Sequence, residues 1–192
     1  TIHFSGGETT AMTADERYAA NMHLLRTNPN PTLQGLPDQL AQMPITNLHL
    51  VPSADGALYG QAFDCANQQW VALCNPQTPL AEAEVDANNL YTPNTKVFCL
   101  IGLGMGYFAV ELARRLKPYQ RLVIWDLDPC MYKAMLHGAD CTPFFDGQHR
   151  VDLIVGDAIL QNVEPWWLSL EAAEKLHILP PLRAGYTAQY QT

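Results

Sequence analysis

A run of five apolar residues, Val97-Phe-Cys-Leu-Ile101, leads directly into Gly102-Leu-Gly104-Met-Gly106. A continuous apolar run of this length is what a strand buried on both faces requires. Glycines immediately after it allow positive φ and let another group meet the backbone without a Cβ between them. The next stretch, from Gly106 to about Lys117, reads as a helix stopped by Pro118. A strand, glycine turn and helix in that order put free amides and a positive dipole end where an anionic group can sit.

The pattern then repeats. Leu122-Val-Ile-Trp125 is a second buried strand, and Asp128-Pro129 opens a helix running to His137-Gly138. Val151 to Val155 is a third strand, followed by Gly156-Asp157. Strands alternating with helices at this spacing imply a parallel βαβαβ unit. No further strand of that sheet is recognisable after Pro165.

The first half has a different period. Thr13-Ala-Asp-Glu16 is a capping box ahead of a helix from about Ala14 to Arg26, with Tyr18, Met22 and Leu25 at helical spacing. A shorter helix covers Leu36 to Gln42. Residues 45–75 hold short strand-like runs separated by Ser53-Ala-Asp-Gly56 and Cys65-Ala-Asn67, turns too short for crossover helices. These predict a three-stranded antiparallel meander. Thr78-Pro79 then starts a helix to about Leu90. The expected fold is therefore α/β: residues 1–90 form helices and a β-meander, and residues 91–192 form a Rossmann-like, class I methyltransferase-like parallel sheet.

Candidate binding residues lie at the carboxyl ends of the three strands. Gly102, Gly104 and Gly106 would form a cradle, and Asp126 stands where a carboxylate can accept both hydroxyls of a ribose. Asp157 is placed to reach an adenine edge. Counted from the strand end the glycines fit GxGxG better than GxGxxG, because Tyr107 occupies the third glycine's place. S-adenosylmethionine is thus the expected cofactor, ahead of a nicotinamide dinucleotide. Leu100, two positions before the first glycine, replaces the acidic residue usual in that fold. Blander assignments stand beside these: glycines for close helix–strand packing, Asp126 or Asp128 as helix caps, and Asp157 as an ordinary loop carboxylate.

Composition narrows the partners. The chain has 192 residues, 48% hydrophobic and 16% charged, with net charge −8. That is globular composition, and the acidic balance argues against nucleic acid. The basic stretch Arg114, Arg115, Lys117 and Arg121 suits a helix C-terminus. No apolar run approaches the roughly 20 residues of a membrane span, and Thr1 to Thr10 does not read as a signal peptide. The five cysteines lack a CxxC pair and read as reduced thiols, so a cytoplasmic location is expected. Cys130, His137, Cys141 and His149 lack the tight pairing of a zinc site, and no metal is expected.

Several stretches resemble one family, the motility-associated factor (Maf) flagellin glycosyltransferases. They are Tyr18-Ala-Ala-Asn21 through Leu25, Pro31-Thr-Leu33, and Asn75-Pro-Gln-Thr-Pro-Leu-Ala-Glu82-Ala83. Ile101-Gly-Leu-Gly-Met-Gly-Tyr107 is similar to a GxGxGY turn, Trp125-Asp126-Leu-Asp-Pro129 to an acidic E-P-D step, and Pro181 to Tyr190 to a closing P-x-x-x-x-Y-x-x-Y stretch. The resemblance implies an N-terminal, methyltransferase-like Rossmann module preceding a catalytic domain related to the MptE-like pterin diphosphokinases. That domain transfers activated nonulosonic acids to flagellin, and its GPSL signature is absent from this sequence. Gly102, Gly104, Gly106 and Tyr107 carry over as fold-defining positions; no catalytic residue does. The implied partners are an adenosyl or sugar-nucleotide ligand, flagellin, and a catalytic domain outside this chain. Two alternatives remain open: a methyltransferase using S-adenosylmethionine, and a non-catalytic docking domain that kept the fold and lost the ligand.

Overall fold

A computed structural model gives the fold and describes residues 12–30, 33–45, 48–64, 67–156 and 174–178. Helix α1 (Ala14–Thr27) begins at the capping box: Glu16 N donates to Thr13 Oγ1, and Thr13 N donates to the Glu16 carboxylate. Asn21, Met22 and Leu25 form its buried stripe. Helix α2 (Leu36–Gln42) follows, packed against α1 and α5 (Pro129–Gly138).

The meander is present as β1 (Leu48–Pro52), β2 (Leu58–Asp64) and β3 (Gln69–Ala72), antiparallel and in that order. Leu48 pairs with Ala62, and Ala62 with Val71. Gly60, Ala62 and Asp64 face inward along β2 with alternating burial, as a half-buried strand requires. The Ser53–Gly56 turn is closed by Asp55, whose carboxylate accepts from Ser53 Oγ and Ala57 N. The same carboxylate accepts from Leu80 N, at the start of α3 (Pro79–Leu90). Thr78 occupies the N-cap position of α3 as expected, but its side chain makes no capping bond.

The second sheet is parallel: β4 (Val97–Ile101), β5 (Arg121–Asp126) and β6 (Arg150–Val155) pair in register through β5. Helices α4 (Tyr107–Arg115) and α5 lie between them in sequence, with the short α6 (Thr142–Phe145) before β6. A fourth strand, β7 (Lys175–Ile178), runs parallel to β4 on its other side. The expectation that nothing after Pro165 adds to the sheet is therefore corrected. Lys175-Leu-His-Ile178 is a four-residue run broken by a polar residue, so it lacks the continuous apolar signal of the other three. Strand order is β6-β5-β4-β7, the 3-2-1-4 order of a doubly wound sheet. The fold is α/β and Rossmann-like.

One apolar core runs from Met22 and Leu25 in α1 through the meander's Ala62 to Leu100, Leu122 and Leu153 in the parallel sheet. Among the described residues no helix is long and apolar enough to cross a membrane.

Candidate glycine-loop site

The loop after β4 takes the conformation its glycines permit. Gly102, Gly104 and Gly106 have φ of 91°, 56° and 77°, all in the left-handed region that L-residues rarely occupy. Gly102 N donates to Trp125 O, tying the loop to β5 at the topological switch between β4 and β7. Gly106 N donates to Leu103 O, and Val110 N returns to Gly106 O as α4 begins. The amides of the first turn of α4 have no acceptor within the helix, as at any helix start.

The side chains between the glycines turn inward. Leu103 and Met105 are buried, Met105 in the space left by two other glycines. A Cβ on Gly60 of β2 would stand 2.4 Å from Met105 Sδ, and one on Gly138 would stand 3.0 Å from Met105 Cε. Gly106 itself must be bare, since a Cβ there would fall 2.4 Å from Met135 Cγ of α5. The glycine loop is thus gripped between the meander and α5. A cavity lined by Leu103, Met105, Gly106 and Tyr107 on the α3 side holds only about 40 Å³, against ~300 Å³ or more for a pocket that takes a nucleotide-sized ligand.

Tyr107 closes the same junction. Its hydroxyl donates to Leu58 O and accepts from Leu58 N. Burial pushes this phenol up to about 12, while its bond to Leu58 pulls the other way.

Asp126 sits at the end of β5, as the sequence predicts, but its carboxylate is turned into the protein. It is 1% exposed. Oδ2 accepts from Leu103 N of the glycine loop at 2.8 Å, and Oδ1 accepts from Asp128 N at 2.9 Å. Its carbonyl accepts from Gly156 N. Asp128, by contrast, caps α5 through Cys130 N, the capping role weighed for it above. Of the predicted residues, Gly102, Gly104, Gly106, Tyr107 and Asp126 meet around one loop; Asp157 lies outside the described residues.

Sequence reasoning missed two buried polar residues that fasten elements around the parallel sheet. Asn21 donates from Nδ2 to Leu136 O and Ala139 O and accepts from Cys141 N. Gln120, fully buried, donates to Thr95 O and accepts from Lys117 N. The only hint in the sequence was a polar residue at a core-facing position, as at Asn21 beside Met22 and Leu25.

A solved structure of a Maf glycosyltransferase from Magnetospirillum magneticum AMB-1 superposes with a TM-score of 0.62, covering 93% of this chain and 35% of its own, at 14% sequence identity. The fold relationship is Maf-like. At that identity the likeness establishes architecture alone, and this chain spans about a third of that protein's length. No protein-family model matches the sequence, and no curated protein matches it.

Proposed function

We propose that the chain is the Rossmann-like module of a Maf-type protein glycosyltransferase, supplying a docking scaffold for a catalytic domain rather than chemistry of its own. The observation that carries this is the Asp126–Leu103 contact. The carboxylate expected to accept ribose hydroxyls instead accepts loop amides in a dry position. Leu100 at the usual acidic position and the small cavity beside the loop point the same way. A scaffold needs the glycines for close packing, and Met105 and Met135 use the space they leave. The transferase's donor and its flagellin acceptor would be bound outside these residues.

Calorimetric titration with S-adenosylhomocysteine and NAD tests the assignment. The scaffold predicts no saturable heat from either. The second reading is an adenosyl-binding module serving a methyltransferase, supported by the glycine loop at the switch point of a 3-2-1-4 sheet. Saturable heat with S-adenosylhomocysteine alone would replace the first reading with the second.

A further inference from the structure

At the opposite end of the parallel sheet from the glycine loop, an open cleft of about 400 Å³ lies beside the first residues of β5 and β6. Six-residue strands separate the two ends by roughly 16 Å, so this cleft is independent of the Asp126 site. Arg121 and Arg150 line it with His149, Asn28, Asn30 and Asp152. In a chain of net charge −8, two guanidinium groups here face a single lining carboxylate.

The two arginines are arranged differently. Arg121 donates from Nε to Asp152 Oδ2, which fixes the plane of its guanidinium while its terminal nitrogens meet no acceptor among the described residues. Arg150 is exposed, and no described carboxylate pairs with it. A planar fork with unused N–H groups beside a second guanidinium matches the oxygens of a phosphate. His149 adds a second observation. Its Nδ1 is buried and has no hydrogen bond of acceptable geometry, although Asp146 Oδ2 stands 3.3 Å away. His149 also lines the cleft, so its imidazole stands beside the two guanidinium groups. Asn28 is already committed, donating to Phe145 O and accepting from Asn30 N, so it shapes the wall.

We infer that this cleft binds a phosphate group, held by Arg121 and Arg150 with His149 alongside. A nucleotide and a sugar phosphate present the same terminal group, and the test separates them.

The experiment is a ¹H–¹⁵N NMR titration of the whole chain with inorganic phosphate, with chloride at matched ionic strength as control. Saturable shifts are expected at Asn28, Gly147, His149 and Arg150 with phosphate and not with chloride. Arg150→Glu, a change at an exposed position, should abolish them, and Arg150→Lys should weaken binding about ten-fold, since an ammonium keeps the charge and loses the fork. Tighter binding of a nucleoside monophosphate than of a hexose phosphate assigns the group to a nucleotide, and the reverse order to a sugar; either supports the site. Shifts that fail to saturate, match those of chloride, or persist in Arg150→Glu overturn it.

Discussion

The phenol of Tyr107 engages both backbone groups of one residue, accepting from Leu58 N at 3.0 Å and donating to Leu58 O at 2.9 Å. Leu58 faces the β3 side of β2 but lies past the β2–β3 register, which ends at Gln61 opposite Ala72, with Leu73 N donating to Gly60 O just beyond it. Tyr107 therefore supplies what the ladder cannot, and it fastens the meander to the start of α4. Tyr107→Phe removes both bonds at an otherwise conserved shape. The expected loss is about 1–3 kcal/mol of unfolding free energy, read from urea denaturation. An unchanged midpoint would show that the meander is held by packing alone.

The same residue sets an alkaline limit. Its phenol is raised by burial from 10.0 to about 12 in the folded chain, so the neutral form is favoured by folding. The stabilisation is complete below pH 10 and is lost as pH rises through about 12, on the order of 2 kcal/mol in all. Burial also raises the Cys99 thiol from 9.0 to about 11, with a parallel loss between those values. The test is therefore the difference between the unmutated chain and Tyr107→Phe across pH 9 to 12. That difference should shrink above pH 10, because only the unmutated chain loses the phenol's contribution.

Asn21 ties α1 to the α5–α6 turn through three backbone groups, two carbonyls and one amide. It is 3% exposed, so water cannot take over those bonds when the amide is removed. Asn21→Leu should destabilise the chain by about 2–4 kcal/mol despite adding apolar area. Asn21→Asp should also lose stability, since a carboxylate cannot donate to Leu136 O or Ala139 O. Chemical denaturation of both variants checks this, and a stable Asn21→Leu would count against the contact.

Gly106 and Met135 are steric partners. An alanine at Gly106 would combine a positive φ of 77° with a Cβ 2.4 Å from Met135 Cγ. Left-handed strain and overpacking together predict a loss of about 2–5 kcal/mol for Gly106→Ala. Met135→Ala in the same chain opens room for the new methyl, so the double variant should be less destabilised than the two single losses added together. Strict additivity would mean that only backbone strain operates.

Local signals carried most of the architecture. The capping box at Thr13, the Asp55-Gly56 turn and the apolar runs at Val97, Leu122 and Val151 each report on their own few residues, and each element formed where expected. The missed features depend on distant partners. Lys175–Ile178 becomes a strand by pairing with β4, some 80 residues earlier, and its own four residues have no diagnostic period. The orientation of Asp126 is of the same kind. Its position at a strand end was legible, but whether its carboxylate meets a ligand or Leu103 N depends on how tightly the loop folds back, which spacing does not encode.

That orientation separates the two functional assignments in one variant. Asp126→Ala leaves the buried amide of Leu103 and the half-buried amide of Asp128 without their acceptor. The expected cost is about 2–4 kcal/mol of stability, with faster hydrogen exchange at both amides. Asp126→Asn keeps one acceptor oxygen but turns an N–H toward the second amide, so it should fall between the two. A residue whose main partner is a ribose behaves differently: its loss weakens the ligand and leaves the empty chain nearly as stable as before. Denaturation and S-adenosylhomocysteine titration of the same variants therefore give opposite patterns. Destabilisation with no heat in either chain supports the scaffold, whereas unchanged stability with heat lost in Asp126→Ala would move Asp126 into a cofactor site.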